Sequence, residues 1–213
     1  MGIITKIEVQ KKNQNRVNLY IDDEFITGLD LELIYTLKLN KGTEVDNEKL
    51  KEIIYKDNIS KAKSKALRII NKAEQSEKTL RDKLSDYNDD ILDEVIKYLI
   101  NAKYIDDKGF AERITHSNST ISRFGKNKIK QNLYKKGIDR NYIEEAISNI
   151  DDIAELDNAI YLAKKKYKTI KDTDNRKIYQ KLIQHLTYKG FSYDISKKAI
   201  SSVMNTDDYY TEY

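Results

Sequence analysis

Apolar and polar positions follow two different periods along the chain. Ile3, Thr5, Ile7 and Val9 alternate with more polar neighbours. Val17, Leu19 and Ile21 alternate in the same way, and three turn-forming residues at 13–15 lie between the two runs. This alternation predicts a β-hairpin, because successive side chains of a strand point to opposite faces. Two short helices are predicted to follow, at residues 30–38 and 47–55. The beginning of the chain therefore reads as a small α+β cap.

From about residue 60 onward the apolar positions have helical spacing, and one pattern recurs three times. A large apolar residue is followed four positions later by Leu and four positions after that by a turn residue, and an apolar helix comes next. A period of about 50 residues is typical of an array of small helical units. The three copies are Leu80, Leu84, Asn88; Ile129, Leu133, Gly137; and Leu182, Leu186, Gly190.

The predicted fold is mainly α, with tandem three-helix repeats that form a curved elongated array behind the N-terminal cap, which contains the β-hairpin. The acidic tail has no basic residue and no apolar period, so it is predicted to be disordered. The predicted boundaries are 1–58 for the cap, 59–105, 106–150 and 151–204 for the three repeats, and 205–213 for the tail.

A few residues are predicted to determine this fold. Ser76 and Asp139 are suited to cap the helices that follow them. Gly137 should take a positive φ just after a helix, where a Cβ would cost about 1 kcal/mol. The residues assigned to folding are Tyr104, Phe110, Leu133, Gly137 and Gly190.

Positive charge is concentrated in the repeats, although the net charge is only +4. Residues 123–140 carry seven basic residues and one acid, and residues 164–171 carry five lysines and no acid. Such clusters attract polyanions or acidic protein faces, and a solvated helix face is the alternative interpretation. The predicted partner contacts are Arg123, Lys126, Lys128, Lys130, Lys135, Lys164, Lys165 and Lys168.

Tyrosines lie beside several of these lysines, as at Tyr134, Tyr167 and Tyr188. Aromatic rings next to basic residues can stack on nucleobases. Tyr at an apolar helical position more often fills the edge of a core with its hydroxyl outward, and that interpretation is favoured here.

Sequence signals for catalysis are missing. The glycines are isolated, Cys is absent, and His116 and His185 belong to different repeats. The acids at 89–94 and 106–107 are expected in first helical turns, where the helix dipole favours them. We therefore predict a non-enzyme without metal or cofactor. Since no signal peptide and no apolar run of about 20 residues is visible, we also predict a cytoplasmic protein away from membranes, and a monomer.

Four segments, in order, resemble one family. Residues 76–84 read SEKTLRDKL, residues 104–111 read YIDDKGFA, residues 125–138 read GKNKIKQNLYKKGI, and residues 186–194 read LTYKGFSYD. Each is similar to a signature of the RecX regulatory proteins, and the hairpin over residues 4–22 is similar to the N-terminus of their longer members.

The resemblance implies a modulator of RecA, the bacterial recombinase, acting in recombination, DNA repair and the SOS response. RecX proteins are expected to lie along the RecA filament on single-stranded DNA and to limit its growth, ATPase and strand exchange. Two alternatives stay open from the residues alone. One is a stand-alone helical-repeat module that binds nucleic acid, and the other is a helical scaffold for another acidic protein partner.

Overall fold

The computed structural model of the chain describes residues 1–204, so the predicted acidic tail lies outside the described residues. The elements, in order, are β1 (Gly2–Gln10), β2 (Asn13–Ile21), β3 (Glu24–Asp30), α1 (Leu31–Thr36), β4 (Glu44–Val45), α2 (Asn47–Ile70), α3 (Glu77–Lys83), α4 (Asp89–Asn101), α5 (Asp107–Thr120), α6 (Lys126–Lys135), α7 (Arg140–Ser148), α8 (Asp152–Tyr167), α9 (Asn175–Tyr188) and α10 (Tyr193–Ser201). They form two compact units. The first holds residues 1–75 and 80–105, and the second holds residues 76–79 and the chain from Asp106 onward.

The N-terminal strands form an antiparallel sheet in the order β3-β2-β1-β4. The predicted hairpin is confirmed as β1 and β2, with Val9 opposite Val17 and Ile7 opposite Leu19. Alternate residues of β2 enter a small core with Leu29 of β3. The sequence analysis missed β3 and β4, because β3 contains a glycine and β4 has only two residues, so neither carries a clear alternation.

Helix α2 is continuous over 24 residues. The prediction of one helix at 47–55 and another from residue 60 is therefore wrong, and the predicted boundary at 58/59 falls inside α2. The segment contains neither Pro nor Gly, so nothing in it interrupts backbone hydrogen bonding.

The three-helix repeats are confirmed. The end of α2 packs with α3 and α4, α5 packs with α6 and α7, and α8 packs with α9 and α10. Each trio has its own cluster of buried apolar side chains, as expected for units that are small and sequentially local. The curvature of the array stays a prediction.

The residues assigned to folding occupy three kinds of position. Phe110 and Leu133 are buried in the second repeat. Gly137 and Gly190 have φ values of +72° and +92°, which agrees with their predicted place after a helix. The side chain of Tyr104 is 46% exposed, and its backbone N–H ends α4 by donating to Leu99 O at 2.8 Å. The buried side chain at that place belongs to Ile105 instead.

Candidate interaction surface in the second and third repeats

Helix α6 begins in direct backbone contact with the third repeat. The Gly125 N–H donates to Lys189 O at 3.0 Å, and the Asn127 N–H donates to Gly190 O at 3.1 Å. A Cβ on Gly125 would collide with the Gly190 carbonyl, and a Cβ on Gly190 would collide with the Lys128 backbone. The two glycines therefore permit a close approach that no other residue allows.

A buried carboxylate completes the start of α6. Glu155 lies in the first turn of α8, is 6% exposed, and accepts from the Lys126 N–H at 2.9 Å. Gly125 precedes α6 and has no side chain to cap it, so Glu155 satisfies an N–H that the helix leaves unpaired. The Lys126 ammonium also pairs with Asp152 at 2.5 Å. The third repeat thus fixes the position of Lys126.

Residues 76–79, in the same unit, are held in a related way. The Ser76 hydroxyl donates to Lys136 O, and the Glu77 N–H donates to the Asp107 carboxylate at 2.9 Å. Burial raises the pKa of the Asp107 carboxyl above its ordinary value, and the hydrogen bond from Glu77 only partly offsets this. Here too an acid in the first turn of one helix supports the beginning of another.

Three cations lie over aromatic rings where the second and third repeats meet. The Arg123 guanidinium is 4.0 Å from the centre of the Tyr161 ring, and Lys189 and Lys128 lie 5.3 and 5.2 Å from the rings of Phe124 and Tyr188. Each pair joins one repeat to the other, and cation–π attraction favours this arrangement. We call these residues the cation–aromatic surface: Arg123, Phe124, Lys128, Tyr161, Tyr188 and Lys189.

The imidazole of His185 shows that this region is electropositive. Burial lowers the pKa of His185 below its ordinary value, and the ammonium groups of Lys166 and Lys189 lower it further. Lys189 also belongs to the cation–aromatic surface. The neutral form of His185 is therefore favoured, first by burial and then by its positively charged neighbours.

The structure divides the predicted partner contacts into two groups. Lys126 and Lys130 form ion pairs, the latter with Glu144, and Arg123 and Lys128 cover aromatic rings. The Lys130 ammonium also lowers the pKa of the Glu144 carboxyl. The other four are exposed and form no ion pair with any residue in the described part of the chain: Lys135, Lys164, Lys165 and Lys168.

The exposed lysines of α8 continue the cation–aromatic surface. Tyr161, Lys164, Lys165 and Lys168 are spaced i, i+3, i+4 and i+7, so they share one face of the helix. The sequence analysis did not include Phe124, Tyr161 or Lys189 among the contacts. The available signal was the lysine that precedes both Gly137 and Gly190 in the repeated pattern.

Neither a metal site nor a membrane-spanning helix is found in residues 1–204. No group of three or more His, Cys, Asp or Glu side chains in this range could hold a metal ion. Within the same range, no helix combines the length and the apolar character needed to cross a bilayer.

Comparison with known families and proteins agrees with the motifs. The Regulatory protein RecX N-terminal domain matches residues 2–46, and the second and third three-helix domains of RecX match residues 106–147 and 154–200. A Regulatory protein RecX from Clostridioides difficile (strain 630) is 49% identical and covers 98% of this chain and 99% of its own length. Another, from Clostridium perfringens (strain 13 / Type A), is 38% identical and covers 97% and 99%.

Solved structures show the same architecture. A crystal structure of regulatory protein RecX matches with a TM-score of 0.77 at 27% identity, over 94% of this chain and all of that one. The crystal structure of RecX from Lactobacillus salivarius matches with a TM-score of 0.62 at 34% identity, over 69% and 97%. With the domain matches and the full-length relatives, these likenesses show that the chain belongs to the RecX family of regulatory proteins.

Proposed function

We propose that this chain is a non-enzymatic, cytoplasmic regulator that binds the RecA filament on single-stranded DNA as a monomer. Binding limits the growth of the filament, its ATPase and strand exchange. Membership of a family whose members are named regulatory proteins supports this proposal, and the RecX family itself implies RecA as the partner. A series of small repeats is also suited to follow a repetitive partner.

The observation that carries the contact surface is the row of unpaired lysines on α8. Lys164, Lys165 and Lys168 extend from the cation–aromatic surface and have no carboxylate among the described residues to neutralise them. Charged groups that are free in the unbound protein increase the rate and the specificity of association with an acidic partner. Lys135 contributes in the same way, whereas Arg123, Lys126, Lys128 and Lys130 contribute from positions already held by other residues.

Reversal of the α8 lysines tests this surface. We expect K164E/K165E/K168E to require about tenfold more protein for half-maximal inhibition of the RecA ATPase, because three attractions become repulsions. The matched control is K41E/K51E/K97E, which changes three exposed lysines of the first unit by the same charge. Equal inhibition by both folded variants would remove the α8 face from the contact surface.

Lys126 is unsuitable for such a test. A glutamate at this position would place a third carboxylate against Glu155 and Asp152, which now pair with the Lys126 ammonium. The variant would lose stability in the second unit, and reduced inhibition could not be assigned to a lost partner contact.

The nucleic-acid-binding alternative is favoured by the cation–aromatic surface, because single-strand binding combines positive charge with aromatic rings. Its distinguishing property is salt dependence. A module that meets six phosphates of a single strand should show a slope of log K against log salt of roughly −4. Equal affinity for bare oligonucleotide and for RecA filament would favour this alternative, and no effect on RecA at all would favour the scaffold.

A further inference from the structure

The first unit contains a basic groove between the β-hairpin and α2. Its volume is about 470 Å³, and its four cations are Arg16 from β2 and Lys61, Lys65 and Arg68 from α2. The three α2 residues are spaced i, i+4 and i+7, so they form one stripe along the helix. At about 1.5 Å of rise per residue the stripe is roughly 10 Å long. A stacked strand has one phosphate per about 3.4 Å, so the stripe can meet about three phosphates.

The buried carboxylate of Asp57 holds two of these cations in place. Asp57 is 2% exposed and pairs with Arg16 at 3.3 Å and with Lys61 at 2.6 Å. The Asp30 N–H also donates to it at 3.0 Å. Because Asp57 is covered by protein, it cannot repel a ligand by direct contact. It orients the two cations at the groove before any ligand arrives, which lowers the entropic cost of binding.

The other two cations are accessible to an anion. Arg68 is exposed and forms no ion pair with any residue between 1 and 204. Lys65 pairs at 2.7 Å with Asp86, whose side chain is 80% exposed. An exposed partner of this kind can be displaced by a phosphate that approaches the same ammonium group. Asp86 therefore acts as a competitor for the groove.

The remaining lining suits a nucleotide. Tyr87 is half-buried beside the groove, with the Lys65 ammonium 5.6 Å from its ring centre, and Asn13 and Asn15 supply amide groups. The Asp30 carboxylate also lines the groove, where it accepts from the Ser60 hydroxyl at 2.9 Å and from the Glu32 N–H at 3.0 Å, so the four cations are set against one lining acid. Aromatic rings stack on bases of any identity. The volume is that of a small-molecule pocket, which is enough for one or two nucleotides.

We propose that the groove formed by Arg16, Lys61, Lys65, Arg68 and Tyr87 binds the backbone of single-stranded nucleic acid, with one base against Tyr87. This site lies in the first unit and is separate from the α8 surface. It requires no RecA, so it stands or falls independently of the proposed regulatory function.

A tryptophan reporter can test the groove directly, because the chain contains no Trp. We expect the fluorescence of full-length Tyr87→Trp to be quenched by an oligo-dT of about 12 nucleotides, a length typical of single-strand sites. Anisotropy of a labelled oligonucleotide reports total binding in the same solution. Binding without quenching would show that the strand sits elsewhere and would overturn the proposal, as would the absence of any binding.

Two charge variants of the Tyr87→Trp protein should change the affinity for the oligonucleotide in opposite directions. Arg68→Glu should weaken the quenching interaction about fivefold to tenfold and reduce its salt slope by about 0.7. Asp86→Asn should strengthen it about twofold to threefold, because the competing carboxylate is gone. Lys51→Glu, on the same helix but outside the groove, is the control and should change the affinity less than about twofold. All variants are first compared with the Tyr87→Trp parent by circular dichroism.

The relative affinities of the variants, and a comparison of oligo-dT with poly-glutamate, decide whether the groove binds single-stranded nucleic acid. Equal weakening by Arg68→Glu and Lys51→Glu would mean that only overall charge matters, and the groove would be rejected. Quenching by poly-glutamate as strong as by oligo-dT would assign the groove to acidic protein segments and overturn the nucleic-acid assignment. Preserved RecA inhibition by Arg68→Glu is expected, because the α8 surface is unchanged.

Discussion

The second and third repeats begin their middle helices in different ways. The second repeat starts α6 at Gly125, which offers no side-chain cap, and its first N–H groups donate to Glu155, Lys189 and Gly190 of the third repeat. The third repeat starts α9 with its own Asp174, which accepts from the N–H groups of Arg176 and Lys177. An inner repeat is thus completed by its neighbour, whereas the last repeat satisfies its own helix end.

The largest expected effect comes from the glycine at the closest approach. Gly190→Ala should lower the free energy of unfolding by about 3 kcal/mol, because a Cβ would collide with Lys128 as well as strain the backbone. Gly42 is the matched control, since its φ is +90° against +92° for Gly190 and its Cβ would meet nothing within 4 Å. Gly42→Ala should cost only about 1 kcal/mol. Urea unfolding followed by circular dichroism measures both.

Both variants strain the backbone, but only Gly190→Ala also disturbs the packing of the third repeat on the second. The difference between their losses of unfolding free energy therefore measures that packing. Similar losses for Gly190→Ala and Gly42→Ala would mean that the third repeat can move away from α6 at little cost. The second repeat would then be stable without its neighbour, contrary to the arrangement described above.

The two helix caps give the next effect. Glu155→Ala should destabilise the second unit by about 2 kcal/mol, because it leaves the buried Lys126 N–H without its acceptor. Asp174→Ala should cost about 1 kcal/mol, the usual loss for a helix cap. Thermal unfolding of the two variants compares them. A larger loss for Asp174→Ala would show that α6 does not depend on the third repeat.

Removal of a buried hydroxyl in the second repeat should raise the free energy of unfolding, whereas the variants above lower it. Thr115 is buried in α5, and its Oγ1 has no hydrogen-bond partner within residues 1–204. Thr115→Val removes this unpaired group and should raise the free energy of unfolding by up to about 1 kcal/mol. Denaturant titration tests the sign, and Thr120→Val, at an exposed position of the same helix, is the control. A loss of stability would indicate that Thr115 has a partner in solution.

The smallest effect concerns pH. Lys126 lowers the pKa of Asp152, and Lys181 lowers the pKa of Asp172. A depressed pKa in the folded state stabilises the protein above the ordinary carboxylate pKa of about 4, and this contribution is lost as the pH falls. Asp152 is exposed and Asp172 is only partly buried, so we expect a shallow decline of the melting temperature below about pH 4. Asp152→Asn and Asp172→Asn should each flatten it, and an unchanged slope would contradict the pairing.

Local features of the chain were sufficient to predict much of the fold. Period-two alternation predicted β1 and β2, and the apolar periodicity of the repeats predicted three trios of helices. Asp139 caps α7 as expected, because its carboxylate accepts from the Asn141 N–H two residues later. These features depend on residues close together in sequence, and such interactions can be inferred without knowing the fold.

The tertiary structure decided which cations are free. In sequence Lys126, Lys130 and Lys165 look alike, yet Lys126 faces Asp152, Lys130 faces Glu144, and Lys165 faces solvent. The pairs join residues 14 to 26 positions apart, which no local pattern connects.

The basic groove of the first unit was hidden for the same reason. Residues 1–58 contain more acids than bases, so the net charge of this segment does not indicate a site for an anion. In the folded chain Asp57 is buried and pairs with Arg16, which is 41 residues away in sequence. The same packing brings Arg16 close to the lysines of α2. Sequence alone determined the elements and the total charge of each segment. Long-range packing determined which charges are neutralised inside the protein and which remain available to a partner, because electrostatic interaction depends on distance and burial.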